Sequence, residues 1–359
     1  MSTIYQRKHK EQYPVLAICY DFDKTLSPDD MQAQGYIQSV GYNIGQFWSE
    51  SNSLATSNDM DGNLAYMYKM VQESEGNFVL NKKTLADYGA KVQLFPGVGE
   101  WFERIRTYGK DHRVIVEHYI ISSGLKEMIE GTEMAKSGAF EKIYASSFYF
   151  NERGVAKWPA QAINYTNKTQ FLFRIEKGVL DINDPGVNDY FAPEDIRVPF
   201  RNMVYIGDSD TDIPCMKLVN AYGGHSIGVF NPETVDKTKV FKMLRDNRIR
   251  YFAPADYSDG SELDMLTKAI IDKTAVYEIL EAKHTANAAE TREVKKANET
   301  LSTLAKAESI KSKTGKSIAD ALNLSSTLGD ALKQYSEKST SKSYKTILEL
   351  FEMDTDDDK

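Results

Sequence analysis

Short apolar runs alternate with amphipathic stretches along the first two thirds of the chain. Segments 15–20 (VLAICY), 114–122 (VIVEHYIIS) and 203–206 (MVYI) are rich in β-branched and aromatic residues, and stretches such as 98–107 (VGEWFERIRT) carry a helical period. Strand alternating with helix predicts parallel strands in a layered α/β sheet, whose ligands bind beyond the carboxyl ends of the strands. Each run ends in polar groups: Asp21-Phe22-Asp23-Lys24-Thr25 after the first, Ser122-Ser123-Gly124 after the second, and Gly207-Asp208-Ser209-Asp210-Thr211-Asp212 after the third. One such ending is ordinary turn chemistry. Three of them point to one shared site.

Two regions break this rhythm. Between Leu26 and the helix start near Phe95 lie roughly seventy residues, too many for a loop without structure of its own. Phe47, Trp48, Tyr66, Met67 and Met70 punctuate this insertion as the core of a small helical bundle would. From about residue 259 the texture turns to Ala, Lys, Glu, Ser and Thr with few aromatics, as in AKHTANAAETREVKKANETLSTLAKAES. That pattern predicts a helical extension, read first as a solvated face and alternatively as a surface for a protein partner. Its sparse apolar positions, among them Leu322, Leu324 and Leu328, are candidates for packing on the core.

Composition narrows the class. At 359 residues the chain exceeds a typical domain, and 41% apolar with 27% charged residues is the range of ordinary globular proteins. A net charge of -8 without a long basic run argues against nucleic acid or an anionic membrane as a partner. The polar start MSTIYQRKHKEQYP lacks a signal-peptide core, and no run of about eighteen apolar residues occurs, so a cytoplasmic setting is expected. The two cysteines, Cys19 and Cys215, make no disulfide framework and are expected as core thiols.

The acidic run from Asp208 has the alternate spacing of a calcium loop but not its other requirements. Position six would be Ile213 instead of Gly, and position twelve Val219 instead of Glu. Taken in order, DFDKT, IISSG, a later lysine and GDSDTD instead resemble the four motifs of the haloacid dehalogenase superfamily, over roughly the first 250 residues. The resemblance implies an α/β, Rossmann-like core with a parallel sheet, from residues 1–26 and 95–258. It also implies a helical cap at 27–94, inserted as in phosphoserine phosphatases; the remaining 259–359 is the helical C-terminal extension.

The activity this resemblance implies is a magnesium-dependent phosphatase acting on a small phosphorylated substrate. Asp21 takes the nucleophile's position, since a carboxylate is ionised at neutral pH without a base to activate it. Asp23 takes that of the acid and base, a role that calls for a raised pKa. The segment SSGLKEMIEG reads as strand passing into helix, with Ser122 as its N-cap or as a phosphate contact at the helix N-terminus. The resemblance places Thr25, Ser122 and Gly124 at the phosphate, and Asp21, Asp208, Asp212 and the carbonyl of Asp23 around Mg2+. Lys157, Lys168 and Lys177 all precede the last motif; TNKTQFLFRIEKG reads as a capped helix with Lys168 in its first turn, the position of the family's lysine. Lys24 stands where the family often has Gly. A phosphomutase shares this machinery, and a phosphate-binding interaction protein with a vestigial site is the reading from another class. Dehalogenation is disfavoured because it needs neither the metal nor an Asp at position 23.

Overall fold

One seven-stranded sheet organises the computed structural model, which describes residues 10–314 and their side chains as far as residue 303. Its strands are β1 (Val15–Tyr20), β2 (Ile115–Leu125), β3 (Lys142–Phe150), β4 (Ala156–Gln161), β5 (Met203–Gly207), β6 (His225–Phe230) and β7 (Tyr251–Pro254). Their spatial order is β4-β3-β2-β1-β5-β6-β7, and only β3 and β4 pair antiparallel. The first strand of the chain is therefore central, with β2 and β5 on its two sides.

Between β1 and β2 come the helices of the insertion, α1 (Tyr36–Ser39), α2 (Ile44–Ser57), α3 (Gly62–Ser74) and α4 (Lys82–Gly89), then α5 (Val98–Asp111). Asn43, Asp61 and Asn81 start α2, α3 and α4 by accepting backbone N–H groups of the first turn. The helices that follow are α6 (Lys126–Glu130), α7 (Glu133–Lys136), α8 (Thr169–Lys177), α9 (Ile213–Ala221), α10 (Thr238–Arg245) and the long α11 (Glu262–Thr314).

β1 is apolar throughout because helices cover both faces of the sheet. Leu16, Ile18 and Tyr20 enter one core cluster with Trp101 and Phe102 of α5, whereas Val15, Ala17 and Cys19 enter the other with Phe171 of α8 and Cys215 and Met216 of α9. Both cysteines are free and buried, as core thiols should be. The aromatics of the insertion pack inward: Phe47, Met67 and Met70 are fully buried, and edge-to-face contacts of 5.4 and 5.8 Å link Phe47 to Trp48 and Trp48 to Tyr66. They belong to the same cluster as Leu16 and Ile18, so the insertion shares the core of the sheet. A Cβ on Gly89 at the end of α4 would lie 1.8 Å from the Met128 carbonyl of α6, so glycine sets this close approach.

The chain divides into two compact units, Met1–Glu278 and Ile279–Lys359. The insertion falls inside the first unit, and α11 begins there: Leu263, Ile270 and Ile271 are buried, and Asp264 pairs with Arg104 and Lys268 at 3.2 and 2.7 Å. Leu322, Leu324 and Leu328 lie outside the described residues. Among the described residues no helix is long and apolar enough to cross a membrane.

Candidate active site

Beyond the carboxyl ends of β1, β2 and β5 opens a cavity of about 300 Å³, with Asp21, Asp23, Ser122, Gly124 and Asp208 in its walls. Asp21 follows β1 directly, its amide still paired with the carbonyl of Ile206 on β5 at 3.0 Å. The chain then turns sharply, with the amides of Thr25, Leu26 and Ser27 all directed at the carbonyl of Phe22. That turn requires a left-handed residue, and Lys24 supplies it at φ 58°. The preference for glycine at this place thus has a steric cause.

Asp23 accepts the Met31 amide on Oδ1 at 2.8 Å. Its Oδ2 is 2.9 Å from where a Cβ on Gly124 would lie, a position that is also 2.2 Å from Met31 Cε. Gly124 is consequently the residue that leaves room for the Asp23 carboxyl. Thr25 is fully buried, its hydroxyl without a partner among the described residues, while its carbonyl accepts the Tyr257 hydroxyl at 2.9 Å.

The second motif departs from the expected local structure. β2 continues through Leu125 and α6 starts only at Lys126, so Ser122 is neither a helix cap nor at a helix N-terminus. It is a buried strand residue whose Oγ accepts the Gly124 amide at 3.1 Å. A bulge in the β2–β3 register between Ser122 and Leu125 curves the backbone at this point.

Lys168 reaches the site through a turn built by Asn164, whose side-chain oxygen accepts the amides of Thr166 and Asn167 at 2.9 and 3.1 Å. The lysine takes the cap position of α8, one residue before its first turn. It is fully buried, with Nζ 2.7 Å from Asp212 Oδ1 and 3.2 Å from Asp21 Oδ1. Lys157 is exposed on β4, and Lys177 donates to the carbonyls of Val187 and Asp189, so neither competes for this place.

Asp212 is heavily engaged. Its Oδ1 accepts Lys168 Nζ and the Tyr205 hydroxyl at 2.7 and 2.9 Å, and its Oδ2 accepts the amide and hydroxyl of Ser209 at 3.3 and 3.2 Å. Asp208, by contrast, makes an ion pair with the exposed Lys239 at 3.7 Å. Asp210 is exposed at the surface.

Burial and crowding act on the protons. Burial, then the charge of Asp212, pushes Asp21 up to about 6 against the opposing pull of Lys168. Burial, then Asp212 and Asp21, pushes Asp208 up to about 7. Burial together with Asp30 and Asp21 raises Asp23 well above the carboxylate range. Burial disfavours the Lys168 charge, but Asp21 and Asp212 more than reverse this and raise its pKa.

Such a set suits a hard cation. Asp21, Asp208 and Asp212 each offer an oxygen within 4.8 Å of the others, and all three are buried. Asp21 Oδ1 lacks a directed hydrogen bond, because the ammonium 3.2 Å away makes only an ion-pair contact. All-oxygen donors with excess negative charge match magnesium better than a softer ion. Asp21 and Asp208 have acceptor capacity to spare, whereas the partners of Asp212 fit it better for holding Lys168 and orienting water.

Several residues at the site carried no signal in the sequence. Tyr205 and Ser209 fix Asp212 but lie within or beside an acidic motif that drew attention to its carboxylates. Asp61, Asn63, Asn164 and Tyr165 also line the cavity, although they come from α3 and from the turn before α8. Asn164 donates to Asp61 at 2.8 Å and Asn63 to the Ile163 carbonyl at 2.6 Å, contacts between segments about a hundred residues apart that no local pattern encodes.

No family model matches the chain. It is 27% identical over 276 residues to an uncharacterized protein of Borreliella burgdorferi, covering 70% of this chain and 95% of that one. Among solved structures it is similar to a HAD family hydrolase of Salmonella enterica serovar Typhi, with a TM-score of 0.48, 15% identity and 73% of each chain covered. It is also similar to a probable phosphoserine phosphatase of Vibrio cholerae, with a TM-score of 0.47, 12% identity, 76% of this chain and 69% of that one. The chain itself carries the features that define its fold: a central β1 between β2 and β5, the motif segments at their adjoining carboxyl ends, and helices inserted after the first of them. This is an α/β, Rossmann-like fold: a mostly parallel sheet with helices inserted after its first strand.

Proposed function

We propose that the protein is a magnesium-dependent phosphatase that hydrolyses a small phosphate monoester through an aspartyl-phosphate on Asp21. The observation that carries this reading is the meeting of Asp21, Asp23, Ser122 and Asp208 at one cavity, with Lys168 buried against Asp21, from segments scattered between residues 21 and 208. Turn chemistry explains each segment alone but not their convergence.

In the first step an Asp21 carboxylate oxygen attacks phosphorus and the bond from phosphorus to the ester oxygen breaks. Asp23, held protonated by its surroundings, gives its proton to the departing alkoxide. In the second step the deprotonated Asp23 takes a proton from water as that water attacks phosphorus. The bond from phosphorus to Asp21 breaks, which restores both carboxyl groups and releases inorganic phosphate. Lys168 keeps Asp21 ionised and turned toward the cavity, and Asp212 holds Lys168 in place. Ser122 and the Gly124 backbone supply the polar wall for the phosphoryl oxygens, whereas Thr25 is fully buried and not among the residues that line the cavity. Asp21, Asp208 and the Asp23 carbonyl would hold magnesium, which when bound offsets the negative charge of the carboxylates and the phosphoryl group. A cytoplasmic setting goes with this reading.

The test is turnover of an aryl phosphate by wild type and Asp21→Asn with and without magnesium. Wild type should turn over only with the metal, and Asp21→Asn should lose at least about 10³-fold in kcat while keeping its fold, since an amide is no nucleophile. Substantial activity in a folded Asp21→Asn protein, or full activity after exhaustive chelation, overturns the mechanism.

A further inference from the structure

Five described non-glycine residues have positive φ: Lys24, Asp59, Arg113, Val235 and Asn247. Of these, Lys24 alone lines the cavity. It lies between the two carboxylates of the first motif and the buried Thr25, where glycine would relieve the backbone at no steric cost. A strained residue kept at a site is a reason to ask what its side chain does there.

The side chain is held at the cavity. Lys24 Nζ lies 2.9 Å from Asp30 Oδ1, and Asp30 is itself a wall residue. Both partners are partly solvated, at 45% and 27% side-chain exposure, so their pairing is weak and an incoming anion can replace it. A second ammonium, that of Lys239, lines the same cavity, 3.7 Å from Asp208 Oδ2 and 63% exposed. Lys168 is different, being fully buried behind Asp21 and committed to two carboxylates. Lys24 and Lys239 are thus partly exposed cations in the cavity wall, unlike the buried Lys168. The same wall also contains Asn63, Asn164 and Tyr165, and the carboxylates of Asp30 and Asp61.

We propose that Lys24, with Lys239, forms a subsite for a second anionic group on the substrate, so that the site selects phosphate monoesters bearing a further carboxylate or phosphate. The inference rests on the phosphatase reading for the position of the first phosphate. Each ammonium is a point charge on a flexible stem, suited to an anion whose distance from the phosphoryl group varies little. The pairing with Asp30 keeps the Lys24 ammonium away from the metal-binding carboxylates until the substrate's anion displaces it.

The experiment measures binding by calorimetry with magnesium present, using methylphosphonate and phosphonoacetate, which differ by one carboxylate. Wild type should bind phosphonoacetate about 10-fold tighter or more, from one charge-assisted contact. Lys24→Gly, which accepts the left-handed backbone and so keeps the fold, should cut that ratio about fivefold or more, and Lys239→Ala should cut it further. An unchanged ratio in a folded Lys24→Gly protein, or no preference for phosphonoacetate in wild type, overturns the subsite. Preference without any turnover of aryl phosphate in wild type leaves the subsite standing and overturns the hydrolase.

Discussion

At the residue scale the site depends on what is absent as much as on what is present. A Cβ on Gly207 would lie 2.5 Å from Asp212 Oδ2 and 2.7 Å from its Cγ, so a single methyl group collides with the carboxylate that holds Lys168. Gly207→Ala should therefore displace Asp212, loosen Lys168 from Asp21 and lower kcat by about 10²-fold, with a stability loss of about 1–3 kcal/mol from overpacking. Steady-state kinetics paired with thermal melts check this; full turnover in the alanine variant would show that Asp212 is not needed where it stands. The glycine of a GD dipeptide was legible as motif, but the reason for it was not, because it depends on a side chain five positions later. Lys24 teaches the same lesson. Its departure from the usual glycine was visible in DFDKT, whereas its positive φ and its tether to Asp30 are facts of the folded turn.

At the scale of elements, apolar runs betrayed the central strands because both sheet faces are covered, and their polar ends marked the site. Less was readable where neighbours decide the outcome. Ser122 looked like a helix start because SSGLKEMIEG combines a capping residue with a helical pattern, yet pairing with β3 extends β2 to Leu125. Its place at a helix start favours Lys168 over Lys157 and Lys177, but the Asn164 turn that carries it to Asp21 was not legible.

Elements are also joined by buried polar links beneath the site. Trp101 Nε1 of α5 donates to the Tyr20 hydroxyl at 2.8 Å, and that hydroxyl lies 3.0 Å from His118 Nδ1 on β2. His118 Nε2 lies 3.2 Å from the Phe102 carbonyl, which requires the proton on Nε2 and makes Nδ1 the acceptor. Burial, then the charge of Arg106, pushes His118 down to about 3. A histidine held neutral in the fold but free to protonate when unfolded contributes stability that is complete above about 6.5. That contribution declines as pH falls from there toward 3, at a limiting slope of roughly 1.4 kcal/mol per pH unit. Chemical denaturation of wild type and His118→Gln between pH 7.5 and 5 should show the wild type losing more stability on acidification. Parallel losses in the two proteins would place the acid sensitivity elsewhere.

At the scale of the whole molecule, every motif segment lies in the unit that ends at Glu278, yet α11 contributes to that unit before continuing beyond it. Two truncations separate these contributions. Ending the chain near residue 285 keeps Leu263, Asp264, Ile270, Ile271 and the pairing of Arg201 with Glu278 at 3.0 Å. Turnover of an aryl phosphate should then stay within about threefold of the full chain, because no group assigned to the chemistry is removed. Ending it near residue 260 instead uncovers the apolar surface that Leu263, Ile270 and Ile271 fill, and leaves Arg104 without Asp264. Losing three such side chains from a core costs on the order of 2–5 kcal/mol each where the gap cannot close, enough to unfold a protein of ordinary stability. Melting temperatures and kcat for the two truncated chains decide the matter. A folded 285-residue chain that has lost its turnover would place part of the site in the extension. Equal stability of the two would mean that the first turns of α11 add nothing to the core.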